Sequence, residues 1–119
     1  MATTTGLRAL DAAHLLVTEI LDAVSRFPPT ASAELRRQLV ESANSVAANI
    51  SEGFARGTPA ERRYRLRIAR GSLEETQSHI KVSRDAGYME DRRYFRLWSL
   101  TVVLNRMIAK LILRNADKE

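Results

Sequence analysis

Residues 49–75 read NISEGFARGTPAERRYRLRIARGSLEE, and this stretch predicts the end of one helix and the start of the next. Thr58 can cap a helix, Pro59 loses no hydrogen bond at the first helical position, and Glu61 completes a capping box. Gly57 can end the preceding helix by taking a left-handed conformation. The stretch therefore predicts two long helices joined by a short turn.

Glycine and proline divide the rest of the chain in the same way, at Phe27-Pro28-Pro29 and at Gly87-Tyr88. Each of the four segments has helical periodicity, and none has the alternating pattern of a strand. We expect one domain over residues 1–119, with helices at about 7–26, 33–55, 59–86 and 91–114. Short turns between long helices favour antiparallel neighbours, so the predicted fold class is all-α, an antiparallel up-down-up-down four-helix bundle.

Apolar residues at spacings of 3 and 4 predict the core faces of the first three helices. On the first helix the stripe consists of Leu10, Val17, Leu21 and Val24, widened by Ala13, Leu16 and Ile20. On the second helix the core face is Leu35, Leu39, Ala43, Val46, Ile50 and Phe54. On the third helix it is Leu66, Ala69, Leu73 and Ile80.

Two glycines predict close packing between the second and third helices. Gly71 lies inside the third helix, where glycine costs about 1 kcal/mol relative to alanine. A neighbouring backbone at short distance would justify that cost, and the second helix offers Gly53 and small side chains for such an approach.

The fourth predicted helix is apolar over an unusually wide arc. Leu97, Leu100, Leu104, Met107, Ile108 and Leu111 fill one side, and Tyr94, Phe95, Trp98, Val102 and Leu113 fill a second. A bundle helix needs an apolar stripe roughly 100° wide, and this arc is nearly twice as wide. We expect the surplus side, with Tyr94, Phe95, Trp98 and Val102, to be an oligomer interface between copies of the chain. The alternative is that this helix is the most central one of its own bundle.

Positive charge is concentrated in one segment. Residues 56–70 contain six arginines and one glutamate, for a net charge of +5, which equals the net charge of the whole chain. Arginine presents a planar fork of donors that suits phosphate groups. We expect RNA or another nucleic acid to bind here with little sequence preference, through Arg56, Arg62, Arg63, Arg65, Arg67 and Arg70, with Tyr64 available for stacking. The alternatives are a solvated helix face and ion pairing with acids of a neighbouring subunit.

The sequence contains little that could carry out catalysis. The absence of cysteine excludes disulfides, thiol nucleophiles and thiolate metal sites. Glu75 and His79 are four residues apart, whereas di-iron bundles need glutamate and histidine three apart on two helices. We therefore expect no enzymatic activity, no catalytic residues, no metal and no cofactor. We also expect a cytoplasmic protein without a membrane partner, because we find neither a signal peptide nor an apolar run of roughly 18 residues.

One segment resembles a known family. Residues 45–53, SVAANISEG, resemble the S-I-P-A-N-I-A-E-G segment of small bacterial proteins encoded in intervening sequences of 23S ribosomal RNA genes. The resemblance extends from Phe27 to about Ile112 and places Asn49, Glu52, Gly53 and Gly71 in a structural motif. It departs from the family pattern at Ala47, Thr76 and Gln77. For Asn49 and Glu52, helix capping or buried hydrogen bonding is the alternative to any more specific role.

The resemblance implies a four-helix bundle assembled as a homo-oligomeric ring, a homopentamer. It also implies kinship with accessory proteins of diversity-generating retroelements, whose similar rings bind nucleic acid and a reverse transcriptase. The resulting expectation is a non-enzymatic, homo-oligomeric bundle that binds RNA or another nucleic acid through its arginines. The alternative is a protein–protein scaffold or adaptor whose basic patch meets an acidic protein partner.

Overall fold

The computed structural model describes residues 4–55 and 57–116, and these residues form four α-helices joined by short turns. The helices are α1 (Thr4–Ser25), α2 (Ala33–Ala55), α3 (Pro59–Asp85) and α4 (Asp91–Ala116). Within the described residues there is no strand, so the all-α prediction is confirmed, and every helix end lies within three residues of its predicted position. Consecutive helices pack against each other and α4 packs against α1, whereas the backbones of α1 and α3, and of α2 and α4, do not approach each other closely in the described part of the chain.

The start of α3 follows the predicted chemistry. Thr58 has an extended backbone (φ −98°, ψ 147°), and its hydroxyl accepts a hydrogen bond from the N–H of Glu61 at 3.1 Å. At the other end of α3, Gly87 takes φ +80°, in the left-handed region that favours glycine. The backbone conformation of Gly57 depends on Arg56, which lies outside the described residues, so its role in ending α2 stays a prediction.

A polar seam joins α2 to α3. The Thr76 hydroxyl donates to the Ser42 hydroxyl at 2.8 Å, and the hydroxyls of Ser45 and Ser72 lie 2.8 Å apart. The paired positions therefore run in opposite order along the two helices. The Ser42 hydroxyl also bonds the carbonyl of Leu39, and the Thr76 hydroxyl also bonds that of Ser72, in each case within its own helix. A slip of one helix along the other would therefore break only the bond between the helices.

The core side of α1 differs from the predicted stripe. The buried residues are Ala9, Ala13, Leu16, Ile20 and Ala23, whereas Leu21 is 49% exposed. The residues at the centre of the predicted stripe are Leu10, Val17, Leu21 and Val24. Around the helix axis they lie about 100° away from the side that faces the core, which is the rotation produced by one residue. Three of the buried apolar residues are alanines, which contribute less to a hydrophobic pattern than the leucines and valines of the predicted stripe.

Of the two glycines predicted to allow close packing, one does and one does not. A Cβ atom at Gly53 would lie 3.4 Å from the Cβ of Arg65 and 3.7 Å from the carbonyl oxygen of Arg62, so α3 does come close to α2 there. Gly71 is exposed, and a Cβ atom there would meet nothing within 4 Å. The predicted close approach at Gly71 is therefore wrong.

Ion pairs connect α1 to the first half of α4. Arg96 donates to Glu19 at 2.6 Å, and Arg93 pairs with Asp22 while also donating to the Glu19 carbonyl at 3.2 Å. The hydrogen bond from Arg93 is the main reason that the pKa of Asp22 lies below its usual range, and a further hydrogen bond from Arg26 adds to this effect against the cost of desolvation. These pairs again run in opposite order along the two helices.

We expect Gly71→Ala to stabilise the fold by about 1 kcal/mol, because alanine has the higher helix propensity and the added methyl group meets no neighbour. Urea unfolding followed by circular dichroism measures this change. Gly53→Leu is the matched comparison and should destabilise, since its side chain would extend into Arg62 and Arg65. A destabilising Gly71→Ala would contradict the open surroundings of this position and would mean that another chain covers it.

We expect Asp22→Asn to be less stable than the original protein at pH 7 but not at strongly acidic pH. A carboxyl group whose pKa is lowered by folding contributes stability above its unfolded pKa of about 3.9 and loses it as the pH falls through the folded value. Thermal unfolding between neutral pH and about pH 2 tests this. Asp11→Asn, on the exposed side of the same helix, is the control. A stability difference that stays constant with pH would contradict the ionic explanation.

Candidate functional site

The structure divides the predicted arginine cluster into two groups. Arg62, Arg63 and Arg65 are half-buried, whereas Arg67 and Arg70 are exposed on the outer side of α3. The sixth predicted residue, Arg56, lies outside the described residues. The cluster is therefore not one uniform basic surface.

Arg63 reaches across to the end of α4. Its guanidinium group donates to the backbone carbonyl of Asn115 at 2.9 Å. The last carbonyl groups of a helix have no partner within the helix, and a cation near them is favourable for the helix dipole. Arg63 thus stabilises the last turn of α4, in addition to any role toward a ligand.

Arg62 and Arg65 lie against α2. Arg65 donates to the side-chain oxygen of Asn49 at 3.5 Å, and its guanidinium lies 5.6 Å from the ring centre of Tyr64. The guanidinium of Arg62 lies 6.0 Å from the ring centre of Phe54. The Arg62 Nε atom is buried and has no hydrogen-bond partner among the described residues. Both side chains are thus held largely by their own chain.

The accessible part of the cluster consists of Tyr64, Arg67 and Arg70, which follow one another at intervals of three along α3. Arg70 lies 3.9 Å from Glu74, and an ion pair between two side chains this exposed contributes little. Within the described residues, Arg67 has neither an ion pair nor a hydrogen bond through its side chain. This aromatic and cationic row is the part of α3 that an external polyanion can reach.

The motif residues Asn49 and Glu52 are positioned by α2. The Asn49 amide donates to the Ser45 carbonyl at 2.9 Å, while its oxygen accepts from Arg65. Asn49 therefore bonds within α2 and across to α3, which agrees with the hydrogen-bonding alternative. Glu52 is half-buried one turn from Asn49.

The predicted oligomer interface on α4 is only partly accessible. Tyr94 is 8% exposed, stacks on Trp98 with ring centres 5.7 Å apart, and has the guanidinium of Arg84 at 4.5 Å from its ring centre. Its assignment to the interface is wrong, because α3 and its own helix already cover it. Phe95 is 56% and Leu113 is 66% exposed. We use the name α3–α4 flank for the apolar row beside α3 that consists of Phe95, Trp98, Val102, Ala109 and Leu113.

A second apolar row lies on α1, where sequence analysis had placed core residues. We use the name α1–α2 flank for Leu7, Leu10, Val17, Leu21 and Val24, which recur at helical spacing on the side of α1 away from its ion pairs with α4. Leu7 and Leu21 are exposed, and the other three are half-buried. The backbone of α1 lies beside α2 and α4, and that of α3 lies beside α2 and α4, so the two flanks lie on opposite sides of the bundle.

A polar groove of about 450 Å³ follows the α2–α3 seam. Ser42, Ser45, Ser72, Glu75 and His79 line it, together with Arg37, Gln38 and Glu41. Several of its hydroxyl groups are already hydrogen-bonded to one another across the seam. The described residues contain no group of three or more side chains able to hold a metal ion. None of their helices is long and apolar enough to cross a lipid bilayer.

The four packed helices, the exposed arginine row and the two apolar flanks define a small all-α bundle protein. Residues 5–110 match the family described as 23S rRNA-intervening sequence protein, and the chain belongs to this family, which confirms the predicted resemblance.

A crystal structure of a protein of unknown function from the S23 ribosomal protein family of Bacteroides thetaiotaomicron is similar in fold, with a TM-score of 0.85. The alignment covers 92% of this chain and 98% of that chain at 17% sequence identity, so the similarity establishes the fold. No curated protein matches the sequence.

Proposed function

We propose that this protein is a cytoplasmic, non-enzymatic bundle that assembles with copies of itself and binds RNA or another nucleic acid. The observation that carries the proposal is the exposed row of Tyr64, Arg67 and Arg70 on α3, in which cations without strong ion pairs lie beside an aromatic ring. Cations of this kind contact phosphate groups, and the ring offers a stacking surface. The family name, which refers to 23S rRNA, is consistent with RNA as the ligand.

The assembly that fits the two apolar flanks is a closed ring. Two different apolar surfaces on opposite sides of one chain favour a head-to-tail contact, in which the α3–α4 flank of one copy covers the α1–α2 flank of the next. Repetition of that contact closes a ring if the rotation between copies allows it. The opposite order of paired residues along α2 and α3, and along α1 and α4, supports an up-down-up-down bundle as the repeating unit. The family resemblance implies five copies, each of 13.4 kDa.

A ring would also strengthen binding. Each copy adds one arginine row, so weak contacts with phosphate groups act together on one long nucleic acid. The competing function is a scaffold or adaptor whose basic patch meets an acidic protein partner. Arg62, Arg63 and Arg65 make contacts within their own chain. These contacts leave fewer cations free for nucleic acid than the sequence suggests.

The RNA-binding proposal predicts a specific loss of affinity in the double variant Arg67→Ala/Arg70→Ala. We expect affinity for a structured RNA to fall about tenfold or more at low salt, and the slope of log K against log salt concentration to decrease by roughly 1 to 2. Fluorescence anisotropy between about 50 and about 200 mM salt measures both quantities. Arg63 is left intact because it holds the end of α4.

The control for this experiment is Arg26→Ala/Arg92→Ala, which removes the same charge from two exposed positions outside the arginine row. It should keep nearly the original affinity. Equal losses of affinity in both variants would mean that the net charge of the protein, and not the position of Arg67 and Arg70, determines RNA binding. Negligible RNA binding by the unmodified protein would contradict the proposal and favour the scaffold function.

The ring proposal predicts that Leu21→Glu and Phe95→Glu each yield monomers, because each blocks one of the two flanks. An equimolar mixture of the two variants should then form a heterodimer through the one pair of intact flanks. Sedimentation velocity distinguishes these species. If either variant alone remained a dimer, the contact would be one flank pairing with itself, and the head-to-tail arrangement would be wrong. Val82→Glu, at a position 49% exposed on the outer side of α3, should leave the mass unchanged.

A further inference from the structure

A second basic region lies on the other side of the bundle, where α1 begins and α4 ends. It is a groove of about 350 Å³ between these two helices. Arg8 of α1 and five residues of α4 line it, namely Val103, Arg106, Met107, Lys110 and Arg114. The concentration of charge in residues 56–70 gives no indication of this groove, because its cations come from two helices that are distant in the sequence.

The cations of this groove differ from those elsewhere on the same seam. At the other end of the α1–α4 seam, Arg93 and Arg96 are paired with Asp22 and Glu19. Arg8, Arg106 and Lys110 are exposed, and within the described residues none of them has an ion pair. One half of the seam is thus neutralised, while in the other half the described residues supply no acidic partner for Arg8, Arg106 or Lys110.

Part of the groove lining is apolar. Val103 is 47% exposed and the Met107 side chain is half-buried beside it. A nucleic-acid backbone would neutralise the cations but would leave these two side chains in contact with water. Apolar side chains of a peptide would cover them, and methionine adapts its shape to different partners.

The spacing of the cations fits a helical partner. Arg106 and Lys110 are four residues apart on α4, which places them about 6 Å apart along the helix axis. Carboxylates four residues apart on a second helix have the same spacing and would lie opposite them if the two helices ran side by side.

We propose that the α1–α4 groove binds an acidic amphipathic helix of a protein partner. The apolar side of that helix covers Val103 and Met107, and its carboxylates pair with Arg8, Arg106 and Lys110. This site is separate from the arginine row on α3, and the proposal does not depend on RNA binding there. In the proposed ring the flanks cover the α1–α2 and α3–α4 sides, so the α1–α4 side stays accessible.

The test uses a designed fluorescent peptide as the probe. Its sequence places leucine at positions i, i+3, i+4 and i+7 of a helix and glutamate at two flanking positions four residues apart. We expect micromolar binding to the full chain, measured by anisotropy. Arg106→Glu/Lys110→Glu should weaken binding at least tenfold, and Val103→Asp should weaken it by a similar factor. Arg67→Glu/Arg70→Glu on α3 is the charge-matched control and should leave binding unchanged.

A scrambled peptide of the same composition separates shape recognition from simple charge attraction, and it should bind at least tenfold more weakly. The proposal is overturned if the scrambled peptide binds as well as the helical one, or if Val103→Asp has no effect. It is also overturned if the peptide fails to bind, or if Arg106→Glu/Lys110→Glu abolishes RNA binding and leaves peptide binding intact. Circular dichroism of each variant confirms that the four helices are retained.

Discussion

The register between α2 and α3 depends on the polar seam that joins them. The hydroxyl groups of Ser42 and Thr76 are buried and bond each other, and those of the half-buried Ser45 and Ser72 lie within hydrogen-bond distance across the same seam. An apolar seam tolerates small slips because one methyl group resembles another, whereas a slip here breaks hydrogen bonds between the helices, each with a net contribution of about 0.5–1.5 kcal/mol. The position of every side chain on α3, including the arginines, follows from this alignment.

The alignment determines which arginines remain available. With the register set by the seam and Gly53 admitting the backbone of α3, Arg62 and Arg65 lie against α2. Arg63 lies on the other side of α3 and is drawn to the end of α4. Arg67 and Arg70 emerge on the outer side. A segment with six arginines therefore presents a smaller cationic surface than its composition indicates, and part of its charge contributes to the fold.

Interactions within one helical turn were sufficient to predict the helices. The errors concern which side of a helix is buried and which residues meet across the bundle, because neighbouring helices determine both. The capping residues Thr58 and Pro59 act within one turn, so the sequence was sufficient to locate the start of α3. The buried side of α1 was predicted wrongly because three of its buried residues are alanines, which contribute little to a hydrophobic pattern. The contact between Arg63 and Asn115 joins residues 52 positions apart, and spacing along one helix contains no information about it.

The Ser42–Thr76 pair also limits how related sequences can diverge. Replacing either residue alone by an apolar one removes the bond between the helices, while the remaining hydroxyl keeps a carbonyl partner in its own helix. A single change at either position therefore costs one hydrogen bond between the helices and leaves no buried hydroxyl unsatisfied. Tolerance to substitution at Thr76 thus depends on the residue at position 42, which is far away in the sequence and directly opposite in the fold.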